Sequence, residues 1–498
     1  MHHSIQLYRR QQVYELDSLT MQVDHQPALQ LMSLAAQAVY RAIQLHWPDI
    51  RHAVVFAGSG NNGGDAFALA CLMKQDGWQL DLISVGDLAT QSVESLYYRE
   101  QWEQMGGISA IWQGEIPACD LIVDGLLGIG LSRILDQDWI ELVNAINAHP
   151  AHRISIDIPS GLNADSGIAM PVAIMADVSV SFIGRKLGCY LADGPDYCGE
   201  RLFDPLGLST DTASRVDSAC SLLSLQTIHF PRPRKNNSHK NHYGHVLVIG
   251  GDRSMSGAAG LAALAALKTG AGLVSLCVHP DNYTVAASRQ LELMVSDWDQ
   301  LERQLKLASV IVVGPGLGRS KRAAEILQSI QFIDKPMVID ADALQKDFLS
   351  ALTTRQGVIT PHPGEAARLL DTTTRSVQHD RLKSLQLLTQ LSPLSVVLKG
   401  AGTLMGDQSG LPALCANGHA GMATAGMGDV LAGMIAGYLA QGLSPQHAAR
   451  TSVLLHAQAA EDYALQQDAD SLIASDIIQR LPRLVKSLRS QQADRYST

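Results

Sequence analysis

One carboxylate in this chain stands where phosphoryl chemistry would want it. In NGHAGMATAGMGDVLAGMIAGYLAQG (417–442), Gly426 and Gly428 flank Met427, and Asp429 follows at once, ahead of an apolar run that carries Gly433 and Gly437 on one helical face. Glycines let the backbone turn tightly, and a helix N-terminus with free N–H groups favours anions. A phosphate seated there would leave Asp429 poised to deprotonate an attacking hydroxyl. The same aspartate could instead cap its helix. In LKGAGT, Lys399 precedes Gly400, Ala401, Gly402 and Thr403, which places an ammonium beside free amides suited to nucleotide phosphates. His362, stiffly held between two prolines, reads equally as structural or functional. GxxxxGK(S/T) does not occur, so a phosphate site here is not a P-loop.

The first half offers a second constellation at three strand ends. AVVFA runs into GSGNNGGD, where Gly58, Gly60 and Gly63 match a dinucleotide turn and Asp81 lies near the position of a ribose-binding acid. Asn61, Asn62 and Asp65 are polar additions that such a turn does not require. Asparagine amides bind ribose hydroxyls and phosphate, and their oxygens can ligate a hard cation; Asn-Gly runs are also good turns. LIVDGLLGIGLSR ends a strand at Asp124 before a loop with Gly128 and Gly130, and ISIDIPSGL ends one at Asp157 and Ser160. Ligands of open α/β sheets collect at carboxyl ends of strands, so the three ends point to one site. DVSVSFIGRKLG supplies a further strand and turn with nothing catalytic evident.

At 498 residues the chain calls for two domains. Residues 5 to 46 carry apolar spacing of three and four and predict helices. Strands and helices then alternate through both halves, predicting α/β architecture with largely parallel sheets covered on both faces. Residues 216–240, with Pro231, Pro233 and a basic cluster at Arg232, Arg234 and Lys235, read as a connection between domains at 1–215 and 241–498. A formal net charge of -10 argues against a general nucleic-acid footprint. Seven scattered cysteines, never as CxxC, suit reduced thiols with neither a zinc site nor a disulfide framework. Neither a secretion signal nor a membrane span is apparent.

HYGHVLVIGG, SGAAGLAALAALKTGAGLV, GPGLG, TPHPGE, LKGAGT and NGHAGMATAGMGDVLAG together resemble the ribokinase-like NAD(P)H-hydrate dehydratases over most of 240–490. NNGGD, DGLLGIGL and IDIPSGLNADSG resemble the NAD(P)H-hydrate epimerases, which have a Rossmann-like fold. The resemblance implies two three-layer α/β/α domains that interconvert the R and S hydrates and dehydrate the S form at the expense of ADP. It implies that Asn61, Asn62, Gly63, Gly64, Asp65, Gly128, Ile129, Gly130, Leu131, Ser132, Arg133, Ile134 and Asp157 hold the hydrate in the first domain, with Asp157 as proton shuttle. Asn62, Asp124 and Ser160 match a potassium site. In the second domain Ala258, Gly318, His362 and Asp429 would contact the hydrate, and Lys399, Gly400, Ala401, Gly402, Thr403 and Gly428 the nucleotide, which brings Mg2+. Ile129 stands where the family's loop often has threonine, so one side-chain hydrogen bond would be lost and the backbone donors kept.

The expected partners are small molecules only, NAD(P)H hydrate and ADP, in a cytoplasmic homo-oligomer without nucleic acid or membrane. The rival reading is a ribokinase-like small-molecule kinase behind a non-catalytic nucleotide-binding domain.

Overall fold

The computed structural model describes residues 5–87 and 91–495. Contacts divide the chain after Cys220, with Gln6–Cys220 as one compact unit and Ser221 onward as the core of the other.

In the first unit seven parallel strands lie in the order Ser109–Ile111, Gln79–Ser84, His52–Ala57, Leu121–Gly125, His152–Ile156, Val178–Phe182, Glu200–Asp204. Counted along the chain this is 3-2-1-4-5-6-7, the doubly wound order of a Rossmann-type sheet. Side chains alternate between faces with a period of two. Ala53, Val55 and Ala57 pack under the helices Ala28–His46 and Asn61–Gln75, while Val54 and Phe56 pack with Leu142, Val143 and Ile146 on the opposite face. Both faces are buried, hence the continuous apolar runs.

The stretch 5–46 expected to be helical holds the helices Arg10–Gln22 and Ala28–His46, but Gln6–Tyr8 before them is extended and pairs in parallel with Arg185–Lys186. Three residues are too few to show a period, and their partner lies far along the chain. This pairing anchors Lys186.

The second unit orders its strands Met294–Asp297, Leu273–Val278, His245–Ile249, Val310–Val313, Met337–Ile339, Gly357–Ile359, Ser395–Leu398, followed by Thr403–Gly406 and Ala413–Cys415. The pairings are parallel up to Ser395–Leu398 and antiparallel beyond it. Residues 216–240 are not all free connection. Ser221 and Leu222 pair in parallel with Ala413 and Leu414, and Leu223 and Ile228 are buried in this unit's core. The apolar residues there are too sparse to reveal a strand without its neighbour.

The helix Met427–Ala440 lies against Ser256–Thr269 at backbone distance. A Cβ at Gly433 would fall 2.0 Å from the Ala262 carbonyl oxygen, and one at Gly437 2.9 Å from that of Ala266. Among the described residues no helix is long and apolar enough to cross a membrane.

Candidate active sites

A cavity of about 830 Å³ opens in the first unit and is lined by Asn61, Asn62, Asp65, residues 128–133 and Asp157. Its floor holds more acid than the sequence motifs announce. Asp157 follows the strand His152–Ile156 at φ 67°, a left-handed conformation that an aspartate keeps only where its surroundings impose it. Its amide donates to the Val180 carbonyl (2.8 Å), and its Oδ1 accepts from the Phe182 amide (3.1 Å). The same oxygen is ion-paired with Lys186 Nζ, which is only 1 % exposed and also donates to the Phe182 carbonyl (2.8 Å). Burial, then the charges of Asp157 and Asp17, holds the Asp65 carboxyl well above the usual carboxylate range, with Lys186 pulling the other way. Asp17, on the wall of the same cavity, is also raised, by burial first. Three carboxyl groups therefore surround one buried ammonium.

Of these, Lys186 and Asp17 went unnoticed in the sequence. FIGRKLG looks like an ordinary strand exit until the pairing of Gln6–Tyr8 fixes it beside Asp157. Three anticipated residues do not reach the cavity wall. Gly63 and Gly64 lie beneath it as packing glycines: a Cβ at 63 would meet the Gly58 carbonyl oxygen at 1.9 Å, and one at 64 would meet Ser95 and Met32. Ile134 is 74 % exposed, one residue past the lining stretch. Ile129 lines the cavity and packs on the apolar core, so the missing threonine hydroxyl is replaced by a hydrophobic contact.

Beneath the loop, Asp124 is fully buried. It accepts from Ser160 Oγ (2.5 Å), the Ser160 amide (2.9 Å), Ser155 Oγ (2.8 Å) and the Leu126 amide (3.3 Å), all neutral donors. Burial raises its pKa against the pull of those bonds. Ser160 Oγ lies 3.2 Å from the Leu127 carbonyl, and Asn62 Nδ2 is buried without a hydrogen-bond partner among the described residues. An uncompensated carboxylate, a hydroxyl, a carbonyl and an orphaned amide, whose oxygen and nitrogen can exchange places, are hard-cation donors. These residues fit a hard cation.

In the second unit the residue capping Met427–Ala440 is Gly426, at φ 90° and with no side-chain cap. Asp429 lies in the first turn, and among the described residues its carboxylate receives no hydrogen bond. That geometry disfavours the cap reading. Burial, then the charge of Asp340, raises Asp429 to about 7 against the pull of Lys399, with Asp342 and Glu365 adding to the rise. Lys399 Nζ lies 2.9 Å from Asp340 Oδ1 and 3.8 Å from Glu365 Oε2. Burial opposes its charge, but these two carboxylates outweigh burial and hold the ammonium above its ordinary range. A Cβ at Gly428 would come 3.0 Å from that ammonium, so a larger residue there would press on Lys399.

The remaining anticipated residues gather around this centre. The Gly318 amide donates to Asp342 (2.9 Å), and Ala258 abuts the GPGLG turn, 3.2 Å from where a Cβ at Gly316 would lie. His362 caps the helix Pro363–Leu369: its Nδ1 accepts from the Gly364 amide (3.0 Å), and its Nε2 lies 3.4 Å from Glu365. Half of its side chain stays open to solvent. Asp340, Asp342 and Glu365 were missed because each reads as a strand-end or helix-start acid.

Arg381, 1 % exposed, was missed as well. It donates to the carbonyls of Leu398, Lys399 and Gly402 and so shapes the turn in which Gly400 and Gly402 take positive φ. Arg381→Met is expected to weaken ADP binding and to lower stability by about 1–3 kcal/mol, because buried carbonyls lose their donor. Calorimetric ADP titration and denaturant unfolding check both, and an unchanged affinity would contradict the assigned role.

One acid–base pocket in a Rossmann-type unit and one carboxylate–ammonium–glycine centre in a second α/β unit define a two-site enzyme of nucleotide chemistry. A family model described as NAD(P)H-hydrate dehydratase matches residues 246–483, and one described as YjeF-related protein N-terminus matches 28–188. The chain is 37 % identical to the bifunctional NAD(P)H-hydrate repair enzyme Nnr of Coxiella burnetii, over 96 % of this chain and 99 % of that one. It is 36 % identical to the enzyme of the same name from Escherichia coli, over 92 % and 89 %. A Bacillus subtilis ADP/ATP-dependent NAD(P)H-hydrate dehydratase, co-crystallized with ATP and Mg2+, aligns with 53 % of this chain and 96 % of its own at 28 % identity and a TM-score of 0.49. This chain belongs to the family of bifunctional NAD(P)H-hydrate repair enzymes.

Proposed function

We propose that the first unit epimerises hydrated NADH and NADPH and that the second dehydrates the S form with ADP, yielding AMP and phosphate. The observation that carries the second step is Asp429, a carboxylate with no hydrogen bond among the described residues, raised to about 7 and set at a glycine-bounded helix start beside Lys399.

The hydrate bears a hydroxyl on the ring carbon next to nitrogen, and hydroxide leaves poorly at neutral pH. Asp429 takes the hydroxyl proton as the oxygen attacks the β-phosphorus of ADP, and AMP departs. The ring nitrogen's lone pair then expels phosphate, and loss of a proton from the neighbouring ring carbon restores the dihydropyridine. A base with a pKa near the working pH suits the first step. Amides before Asp429 and the Lys399 ammonium stabilise the developing phosphoryl charge. Lys399, Gly400, Ala401, Gly402, Thr403 and Gly428 would hold the nucleotide, and Ala258, Gly318, His362 and Asp429 the hydrate. Asp340, Asp342, Glu365 and Asp429 outnumber Lys399, and Mg2+ bound with ADP would offset that acidic surplus.

In the first unit Asp157, ion-paired with Lys186, serves as base toward the hydroxyl proton, and Asp65, whose carboxyl burial holds well above the usual range, as acid toward the ring nitrogen, while the bond between that nitrogen and the hydroxyl-bearing carbon breaks to an aldehyde and reforms on its other face. Asn61, Asn62 and residues 128–133 would orient the substrate. K+ held by Asn62, Asp124 and Ser160 would supply positive charge under that loop. Cytoplasmic placement and homo-oligomeric assembly complete this reading.

Incubating mixed epimers of hydrated NADH with ADP tests the proposal. The expected result is full recovery of reduced-nicotinamide absorbance with AMP and phosphate released in equal amounts. A stable phosphorylated product without recovery would favour the kinase.

A further inference from the structure

A second cavity, of about 380 Å³, lies in the second unit and is lined by Gly318, Arg319, Asp342, Lys346 and Arg368 among others. Ligand pockets span about 300–1,000 Å³, so its size suits part of a small molecule. Its cations follow three adjacent parallel strands, Val310–Val313, Met337–Ile339 and Gly357–Ile359: Arg319 in the turn after the first, Lys346 at the start of the helix Lys346–Ser350 and Arg368 in the last turn of the helix Pro363–Leu369. The arginines are exposed, and among the described residues neither guanidinium has an ion pair or hydrogen bond. Lys346 is tethered to Asp371. The one carboxylate on the wall, Asp342, is engaged by the Gly318 amide at 2.9 Å. Asp342 also acts on Asp429, which places this cavity beside the reaction centre.

We infer that this cavity receives a phosphate group of the dinucleotide substrate, held by Arg319, Arg368 and Lys346 while the ring hydroxyl lies at Asp429. The inference rests on the dehydratase reading of the second unit. ADP is assigned to the Lys399 turn, so the phosphates that remain to be accommodated are those of the hydrate, its pyrophosphate and, in the NADPH form, its ribose 2′-phosphate. Planar guanidinium groups pair with phosphate oxygens two at a time, and the two at this cavity wall, without partners among the described residues, are available for that contact.

The test compares wild type with Arg319→Ala, Arg368→Ala and Lys346→Ala, their thermal unfolding checked first. At saturating ADP, kcat/KM for dehydration is measured with NADPH hydrate and with NADH hydrate. Each lost charge-assisted contact is expected to lower it about tenfold. A loss confined to NADPH hydrate assigns the cavity to the 2′-phosphate, and an equal loss with both hydrates assigns it to the pyrophosphate. Undiminished kcat/KM with both hydrates in all three folded variants overturns the inference and leaves the dehydratase reading intact. Calorimetric titration with NADP+ and NAD+ decides separately: wild type failing to bind either, or binding them no more tightly than the variants do, overturns it even where turnover is absent. Absent turnover in wild type would instead sink the dehydratase reading.

Discussion

Asp429→Asn is expected to lower ADP-dependent dehydration by about 10²–10⁴-fold, the usual range for a lost general base, with epimerisation in the other unit as the internal control. The wild-type pH profile should carry the same signature. Burial first, then Asp340, raises this carboxyl to about 7, and only the ionised form can accept the proton. Activity should therefore fall about tenfold per pH unit below 7, and the residual activity of the variant should lack that limb. Stability moves in the opposite sense. The folded protein keeps a proton here that the unfolded chain gives up near pH 4, so this group erodes stability as pH rises from about 4 to about 7. The variant should accordingly gain unfolding temperature over wild type at pH 8 and much less at pH 5. Full turnover in Asp429→Asn, or a flat profile through pH 7, would remove the base from the mechanism.

The second large effect concerns the ion pair of the first unit. Asp157→Asn should slow interconversion of purified R and S hydrates by about 10²–10⁴-fold. Lys186→Met should do the same and also lower stability by about 3–5 kcal/mol, because it strands Asp157 without its charged partner. Chromatography of the epimers over time reads the first effect and denaturant unfolding the second. With either variant, dehydration of pure S hydrate in the second unit should persist. Epimers that exchange at the wild-type rate in folded Asp157→Asn would falsify the proton-shuttle assignment.

What could be read from the residues alone was the set of strand ends. NNGGD, Asp124, Asp157 and the turn before Asp429 each combine an apolar run, a turn and a polar residue at adjacent positions, so one local window contains the whole signal. Lys186, Arg381 and Asp340 carry no such window. Lys186 matters because a three-residue strand from the other end of its unit pairs beside it. Arg381 matters because its helix sets a guanidinium under carbonyls about 20 residues later. Gly63 and Gly64 show the converse: their motif marks the site, but their own task is to let helix and strand approach each other. The connecting segment hides its strand at its N-terminal side for the same reason, since the partners of Ser221 and Leu222 lie nearly 200 positions away.

The joint between Met427–Ala440 and Ser256–Thr269 is made of main chain, with Gly433 facing a carbonyl and no rotamer available to yield. A methyl group added there can be relieved only by sliding the entire rod, and the acid mounted on its first turn must travel with it. Mechanical fit and chemical register are thus a single variable in this half of the molecule. Attempts to harden the protein against heat would do better among its solvent-facing loops than along this seam.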